Sequence, residues 1–261
     1  MDTRIRRKSK QEINNRISFL NTAIDVLTMQ QAIDITDSYI QHKRPLHIVG
    51  VNADKVNQMD RDVYLRQLVN RSELIHADGI SIVLASRFLK TPLPERIAGI
   101  DLMVQLLHLS SDRGYKVFLL GATQRVVEQT QRVLQNRYPK LHIVGIHNGY
   151  FEEADWSQIS GILKNAEPDI VFVGITSPKK EYFIDYLQEQ GHTCVFMGVG
   201  GSFDVISGEK RRAPLWVQKI YMEWMFRMLQ EPKRLMKRYF VGNILFLRTV
   251  CKEKIKQLQQ E

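Results

Sequence analysis

Several residue types and patterns on which common kinds of site depend are scarce in this sequence. Only two of the 261 residues are cysteines, Cys194 and Cys251, so no disulfide framework or cysteine-rich zinc site can be built. We expect both thiols to be packing residues of a protein in a reducing compartment. The seven histidines show neither H-x-x-x-H nor H-E-x-x-H spacing, which argues against a zinc site.

Long apolar runs are absent too. The longest apolar stretch, residues 239–250, is interrupted by Gly242 and Arg248 and falls well short of the ~20 apolar residues of a spanning helix. Residues 1–16 are polar and charged, without the apolar core of a signal peptide. We therefore expect a cytoplasmic protein that lies on a membrane surface without crossing the bilayer.

The fingerprints of several enzyme classes are also missing. The sequence has no G-x-G-x-x-G, no P-loop and no G-x-S-x-G elbow. Asp60-Arg61-Asp62 has the letters of the Asp-x-Asp pair of many metal-dependent sugar transferases, but it falls inside a predicted helix and is interpreted as surface charge. We expect neither a metal nor a cofactor.

What the sequence does have is a strong charge asymmetry. Residues 209–261 contain 13 Lys or Arg and five Asp or Glu, a net +8 of the chain's total +9. The same segment contains seven aromatic residues. A basic, aromatic surface suits partners that carry phosphate, such as a membrane, a lipid diphosphate or a nucleic acid.

The first 208 residues alternate between short apolar runs and helical periodicities. The predicted strands are residues 46–51, 73–76, 117–120, 143–146, 170–175 and 194–199, and the predicted helices are residues 28–41, 53–69, 80–89, 100–109, 124–135, 155–165 and 179–190. Strand, helix and strand at this spacing predict an α/β fold with a doubly wound, mostly parallel, Rossmann-like sheet.

Three regions follow from these patterns. We predict a polar N-terminal extension at residues 1–16, an α/β catalytic core at 17–208 and a helical C-terminal appendage at 209–261. Within the appendage, a helical pattern opens at Pro214 and is interrupted by Pro232, and residues 244–247 are ambiguous between strand and helix. One face of the appendage is expected to pack on the core and the basic face to meet anionic lipid.

Ligands of open α/β sheets bind outside the carboxyl ends of the strands, so residues that follow each strand are candidates. Asp78 follows a strand and precedes Gly79. Its carboxylate is either a general base or a cap of the next helix. Arg96 either holds a phosphate or forms an ion pair with Asp101 that fixes its loop.

Glycines cluster after the last predicted strand. Gly198, Gly200 and Gly201 allow a close backbone approach, and exposed N–H groups there suit diphosphate oxygens. Alone, the cluster fits a tight turn equally well.

An ordered set of motifs makes the pattern specific. The motifs are Asn52-Ala53-Asp54-Lys55, Ala77-Asp78-Gly79-Ile80-Ser81, Arg96-x-x-Gly99-x-Asp101, Ser177-Pro178-Lys179-x-Glu181, Gly198-Val199-Gly200-Gly201-x-Phe203-Asp204, Lys210-Arg211-Arg212-Ala213-Pro214, Glu223-Trp224, Arg227 and Glu231-Pro232-x-Arg234. Together they closely resemble the WecG/TagA/CpsF family of bacterial glycosyltransferases, over roughly residues 19–247.

The resemblance implies an inverting, UDP-sugar-dependent hexosyltransferase at the inner face of the cell membrane. Its acceptor would be an undecaprenyl-diphosphate-linked sugar, and transfer would be of the N-acetylmannosaminyl, mannosaminuronyl or glucosyl type. The product would be an intermediate of a cell-wall polymer or an exopolysaccharide. The expected partners are therefore the UDP-sugar, the lipid-linked acceptor and an anionic membrane; a homo-oligomer is compatible with the sequence, and no nucleic-acid partner is expected.

The resemblance also implies roles for individual residues. The family's proposed general base falls on Asp78, and its appendage is thought to complete the active site. Residue chemistry and the resemblance together predict substrate-binding roles for Asn52, Arg96, Asp101, Ser177, Lys179 and Glu181, nucleotide-binding roles for Gly121, Tyr150, Gly200, Gly201 and Asp204, and contacts with acceptor diphosphate or membrane for Arg211, Arg212, Arg227, Arg234, Lys237 and Arg238.

Two positions depart from the family pattern. Gly50 stands where wall-teichoic members have Thr, and Lys180 stands where many members have Gln. Lys180 is interpreted as a solvated charge on a helix, with an anionic substrate as the alternative. Two rival functions stay open: a nucleic-acid-binding module, which the basic composition permits, and a nucleotide-binding protein without turnover.

Overall fold

A computed structural model describes residues 15–260 and shows an α/β fold with a helical C-terminal appendage. The strands are β1 Arg16–Phe19, β2 Thr22–Asp25, β3 Leu46–Val51, β4 Leu74–Ala77, β5 Lys116–Gly121, β6 His142–His147, β7 Ile170–Gly174 and β8 Val195–Gly198. The helices are α1 Met29–Gln41, α2 Ala53–Arg61, α3 Val63–Arg71, α4 Ile80–Phe88, α5 Gly99–Arg113, α6 Gln124–Arg137, α7 Trp156–Ala166, α8 Lys179–Glu189, α9 Ser202–Ile206, α10 Leu215–Lys219, α11 Glu223–Gln230 and α12 Pro232–Leu258, with a 3-10 turn at Glu153–Asp155.

Six strands form one parallel sheet in the order β4-β3-β8-β7-β5-β6. Four of the five residues of β7 are buried, as are five of the six of β3, because helices cover both faces of the sheet. Continuous Val- and Ile-rich strands are typical of such a sheet. The doubly wound, mostly parallel fold predicted from the sequence is confirmed.

A two-stranded antiparallel hairpin, β1–β2, was not predicted. Arg16 and Asp25 pair across it at 2.5 Å, and the buried Asp25 also accepts a hydrogen bond from the Ile75 N–H at 2.7 Å. The hairpin is thereby attached to the edge strand β4. Of the predicted N-terminal extension, residues 1–14 lie outside the described residues.

The single helix predicted over residues 53–69 is wrong. Asp62 has an extended backbone, with φ −123° and ψ 97°, and separates α2 from α3. Its carboxylate accepts the Leu65 N–H at 2.9 Å and caps α3, and it also accepts a hydrogen bond from the Tyr182 hydroxyl. Asp62 is therefore a helix cap rather than surface charge inside a helix.

The appendage consists of three helices instead of one interrupted helix. Tyr221, at φ 59°, lies between α10 and α11, and Pro232 begins α12, where its missing N–H costs no hydrogen bond. The ambiguous residues 244–247 are helical. The side chain of Asn57 on α2 donates to the Gly242 carbonyl at 2.8 Å, which fixes α12 against the core.

Apolar contacts add to this attachment. Phe246 and Val250 of α12 are buried in the same cluster as Val56 and Met59 of α2. One face of α12 therefore packs on the core, as predicted for one face of the appendage. Within residues 15–260, no helix combines the length and the apolar character needed to cross a bilayer.

Candidate active site

Asp78 and Asn52 follow the neighbouring parallel strands β4 and β3, so their side chains meet at the carboxyl edge of the sheet. Asn52 Nδ2 lies 3.4 Å from Asp78 Oδ2. Asn52 Oδ1 accepts the Lys55 N–H at 3.0 Å and caps α2. The cap fixes the orientation of Asn52, which presents its amide to Asp78.

Asp78 is half-buried and accepts a backbone hydrogen bond. Its Oδ1 accepts the N–H of Gly99, the first residue of α5, at 2.8 Å. The following helix, α4, begins after Gly79 and has no side-chain cap. Asp78 therefore caps a helix, but that helix is α5 and not the predicted α4. Its second carboxylate oxygen, Oδ2, is directed toward Asn52.

The electrostatic surroundings keep Asp78 ionised. Burial raises the pKa of its carboxyl, but His76, Arg96, the Gly99 N–H and Arg227 outweigh burial and leave the pKa below its ordinary value. Burial lowers the pKa of His76, so the two arginines are the lasting positive charges near neutral pH. The result is a carboxylate able to accept a proton from a hydroxyl group.

Arg96 binds directly to the turn that carries Asp78. Its Nε donates to the Asp78 carbonyl at 2.8 Å, and its Nη2 lies 3.2 Å from Oε2 of Glu223 on α11. Asp101 pairs with Arg212 at 2.7 Å. The Arg96–Asp101 ion pair considered from the sequence is thus wrong, because both residues pair with the appendage instead.

Glu223 was not predicted as a site residue, although the Glu-Trp motif contains it. Its carboxylate is buried, and Oε1 lies 3.5 Å from Arg212 Nε and 3.8 Å from Arg227 Nη2. Short-range sequence patterns give no signal for this cluster, since Arg96 and Glu223 are 127 positions apart.

A second buried cluster lies next to Asn52. Lys55 Nζ is 2.5 Å from Glu181 Oε1 and 2.7 Å from Ser177 Oγ. Burial lowers the pKa of Lys55 to about 8. Burial alone would raise the pKa of Glu181, but Lys180 and Lys55 hold it at about 2. Ser177 and Glu181 are therefore close to the site, and Lys55 is a site residue that was not predicted.

Lys180 is not the solvated helix charge predicted from the sequence. Its side chain is 15% exposed and its Nζ lies 3.4 Å from Glu181 Oε1. A Cβ placed on Gly198, at the end of β8, would come within 2.5 Å of Lys180 Cε, so the lysine chain crosses the tip of that strand. With Lys55 and Lys180 against one Glu181, the cluster has one excess positive charge at the edge where ligands bind.

Gly50 has a comparable position beneath Asp78. A Cβ at residue 50 would lie 3.0 Å from both Asp78 Cβ and His76 Cε1. Both departures from the family pattern, Gly50 and Lys180, therefore adjoin the candidate site.

Lys179 and Tyr150 lie in a separate group. The Lys179 ammonium donates to the Phe151 carbonyl and sits 4.8 Å from the centre of the Phe151 ring. Tyr150 is 77% exposed. No contact described for residues 15–260 joins either residue to Asp78, so their predicted substrate and nucleotide roles stay predictions.

The glycines at the strand ends satisfy local backbone demands. Gly121, at φ 146°, is so close to Gly174 that a Cβ would lie 2.5 Å from backbone atoms, and Gly200 has φ 51°. Asp204 lies 3.8 Å from Lys210, and Gly201 precedes α9. Tight turns explain these glycines, and nucleotide binding by this group stays a prediction.

The predicted cations of the appendage divide into three sets. Arg212 and Arg227 contact the Asp101–Glu223 region, whereas Arg211 is exposed and its backbone exchanges two hydrogen bonds with the Gln230 side chain. The side chains of three α12 residues lie outside the described part of the structure; these are Arg234, Lys237 and Arg238. Across the described residues, no group of three or more His, Cys, Asp or Glu is placed to hold a metal ion.

Comparison with known proteins identifies the family. A sequence profile described as "Glycosyl transferase WecG/TagA/CpsF family" matches residues 17–260. Proteins from Staphylococcus aureus strains MW2, NCTC 8325 / PS 47 and COL, each named N-acetylglucosaminyldiphosphoundecaprenol N-acetyl-beta-D-mannosaminyltransferase, are 36% identical to this chain over 244 residues, covering 93% of it and 95% of the relative. The chain with Asp78 at its strand ends belongs to the WecG/TagA/CpsF family of glycosyltransferases.

Proposed function

We propose that this protein transfers a sugar from a UDP-sugar to a polyprenyl-diphosphate-linked sugar with inversion at the anomeric carbon. The observation that carries the proposal is the ionised Asp78 carboxylate at the sheet edge, next to Asn52 and near the appendage arginines. The relatives named above act on an undecaprenyl-diphosphate-linked N-acetylglucosamine, and an acceptor of this class fits the proposal.

In the proposed reaction, an acceptor hydroxyl attacks the anomeric carbon of the donor. Asp78 takes the hydroxyl proton as the new C–O bond forms and the bond from the anomeric carbon to UDP breaks. One base on the face opposite UDP is sufficient for inversion, and no covalent enzyme intermediate forms. Asn52, whose orientation is fixed by its cap, contributes an amide donor beside the reacting hydroxyl.

The departing diphosphate needs positive charge. Among the appendage cations whose side chains the structure describes, Arg227 is the best placed, because it lowers the pKa of Asp78, is 40% exposed and lies 3.8 Å from Glu223. Lys180 supplies a second cation at the tip of β8. Preorganised cations in a partly closed site stabilise the developing negative charge without reorganisation of solvent.

We propose N-acetylmannosaminyl-type transfer, from the relatives' names and their coverage of nearly the whole chain. Glucosyl-type transfer is the second candidate, because Gly50 alters the site next to Asp78 and so bears on the choice of donor sugar. A side chain at residue 50 would lie directly against Asp78. The wall-teichoic members carry Thr at this position, so the shape of the site beside Asp78 differs in this protein.

The appendage is proposed to bind the membrane that holds the acceptor. Its large exposed apolar side chains are Leu215, Trp216, Ile220, Tyr221, Met225, Leu229, Met236, Phe240, Val241, Ile244 and Leu247, with Ile255 and Leu258 near the end of α12. Such an extended apolar surface marks an interaction site. Exposed cations beside it, among them Lys219 and Arg248, suit anionic lipid at the cytoplasmic face.

UDP release from a panel of UDP-sugars, with a short-chain polyprenyl-diphospho-N-acetylglucosamine as acceptor, tests the proposal. We expect acceptor-dependent release with UDP-N-acetylmannosamine or, for the second candidate, with UDP-glucose. Asp112→Asn, a surface carboxylate on α5, serves as a matched control that retains activity. UDP binding without release for every sugar would overturn the proposal in favour of a nucleotide-binding protein without turnover.

A further inference from the structure

One carboxylate of the appendage is surrounded by three arginines. Glu223 is the first residue of α11, and its side chain is 5% exposed. Arg96 Nη2 lies 3.2 Å from Oε2, whereas Arg212 Nε and Arg227 Nη2 lie 3.5 and 3.8 Å from Oε1. Glu223 thus provides the negative charge at the centre of the cluster.

These arginines come from different parts of the chain. Arg96 belongs to the core and donates to the Asp78 carbonyl. Arg212 lies in the segment before α10 and also binds Asp101 near the start of α5. Glu223 is consequently the residue through which the appendage contacts the turn that carries the base.

Apolar burial gives the first two appendage helices little support. The only buried residue of α10 is Val217, and the only buried residue of α11 is Glu223 itself. Of the half-buried side chains of α11, Trp224 packs edge-on against Tyr239 of α12 with 5.8 Å between the ring centroids, a contact that attaches α11 to α12 and not to the sheet edge. The charged cluster is the interaction that links them to the catalytic edge of the sheet.

We propose that Glu223 is a positioning residue that holds the appendage closed over Asp78 and sets Arg227 beside that carboxylate. This inference deepens the proposed transferase function and rests on it. Substrate contact is not required of Glu223, since it acts through Arg96 and Arg227. In this arrangement the cation for the leaving diphosphate is in place before the substrate arrives.

The chemistry of the cluster explains why the charge matters. A buried carboxylate among guanidinium groups offsets their mutual repulsion, and removal of one partner leaves the others uncompensated. Glu223→Gln keeps the shape of the side chain and removes only the charge. The variant should therefore loosen α10 and α11 while leaving the sheet intact.

Amide hydrogen exchange of residues 209–230 tests the closed position directly. For Glu223→Gln we expect exchange in this segment to increase by roughly tenfold or more, with β3 and β7 unchanged. Glu253→Gln, which removes a half-exposed carboxylate of α12, is the matched control and should leave exchange as in the wild type. Unchanged exchange in Glu223→Gln, or an equal increase in the core strands, would overturn the proposal.

Kinetics then separate positioning from a merely structural role. Glu223→Gln should lower kcat roughly 10- to 100-fold, leave KM for the UDP-sugar within about threefold and raise the fraction of donor lost to hydrolysis. Glu223→Asp, which keeps the charge, should restore part of kcat. Equal changes in kcat for Gln and Asp, or a change in KM alone, would contradict the proposal.

The two hypotheses fail in different ways. A wild-type protein that transfers no sugar refutes the proposed function, and the exchange measurement still decides whether Glu223 holds the appendage. Full transfer activity in the wild type, combined with wild-type exchange in Glu223→Gln, refutes the role of Glu223 alone.

Discussion

The sheet edge and the appendage use charge in different ways. At the sheet edge, Lys55 and Glu181 are both buried and pair at 2.5 Å, and Asp78 is fixed by a backbone hydrogen bond. In the appendage, cations such as Arg211 and Lys219 are exposed beside large apolar side chains. Glu223 is the exception, because it is an appendage residue buried among charges.

This difference indicates a division of roles between the two regions. Buried, paired charges hold functional groups in one geometry, and breaking such a pair is costly. Exposed charges are screened by salt and contribute little to folding, but they act on charged surfaces. Under the proposed function, the paired charges of the core act on the reacting groups, and the exposed charges of the appendage act on the membrane that holds the acceptor.

The largest expected effect is a loss of turnover, caused by a substitution at the sheet edge. Asp78→Asn should lower kcat by roughly 100- to 10,000-fold, the range of a lost general base, with UDP affinity and Tm nearly unchanged. Asparagine keeps an oxygen for the Gly99 N–H, so the turn should hold its shape. Acceptor-dependent UDP release measures the effect. Wild-type turnover in the variant would show that another group takes the proton.

The next effect concerns the buried ion pair. Lys55→Met leaves Glu181 without its nearest cation and should destabilise folding by about 3–5 kcal/mol in urea unfolding. Lys116→Met, which removes a surface pair with Glu167 at 3.7 Å, should cost at most about 1 kcal/mol. Similar losses of unfolding free energy in the two variants would show that the buried pair stabilises the fold no more than the exposed pair does.

The pH dependence of folding stability should also reveal the buried charge of Glu181. The pKa of Glu181 is about 2 in the folded protein against 4.5 ordinarily, so its stabilisation of about 3 kcal/mol is complete above pH 4.5 and is lost as the pH falls toward 2. The difference in unfolding free energy between wild type and Glu181→Gln should therefore shrink between pH 5 and pH 3. A constant difference across that range would mean that folding does not lower the pKa of the Glu181 carboxyl.

The smallest expected effect belongs to the exposed cations. Arg211→Gln combined with Lys219→Gln should weaken binding to anionic vesicles by about 2 kcal/mol at low salt, from about 1 kcal/mol for each cation. The control variant combines Arg137→Gln and Lys140→Gln, which replace two exposed residues of the α/β core just before β6. It should bind vesicles as the wild type does. Vesicle flotation with neutral and anionic lipid measures both. Equal binding to the two lipids by the wild type would remove the membrane role.

The elements that the sequence predicted are those with strong local patterns. The strands β3, β5, β7 and β8 are mostly apolar runs, and the capping box of α1 is present with both of its hydrogen bonds, between Thr28 and Gln31. The hairpin was missed because β1 and β2 have only four residues each and depend on Arg16 and Asp25 for their pairing.

The candidate site was predictable where the strand ends determine position. Asp78 and Asn52 come together because adjacent parallel strands end side by side. The partners of Arg96 and of Lys55 were not predictable, since Glu223 and Glu181 are 127 and 126 positions away. Contacts at such distances depend on how helices pack, and no local pattern encodes that.

The Asn52 amide makes two different contacts, and these determine what a substitution at residue 52 would do. The same amide group caps the N-terminus of α2 through its oxygen and faces the Asp78 carboxylate through its nitrogen. A replacement that keeps only the oxygen, such as aspartate, would leave the fold supported while placing two acids 3.4 Å or so apart, where a single proton would be shared. Residue 52 therefore supports the helix through one atom and influences the acidity of Asp78 through another, so the acidity can be changed there while the helix cap persists.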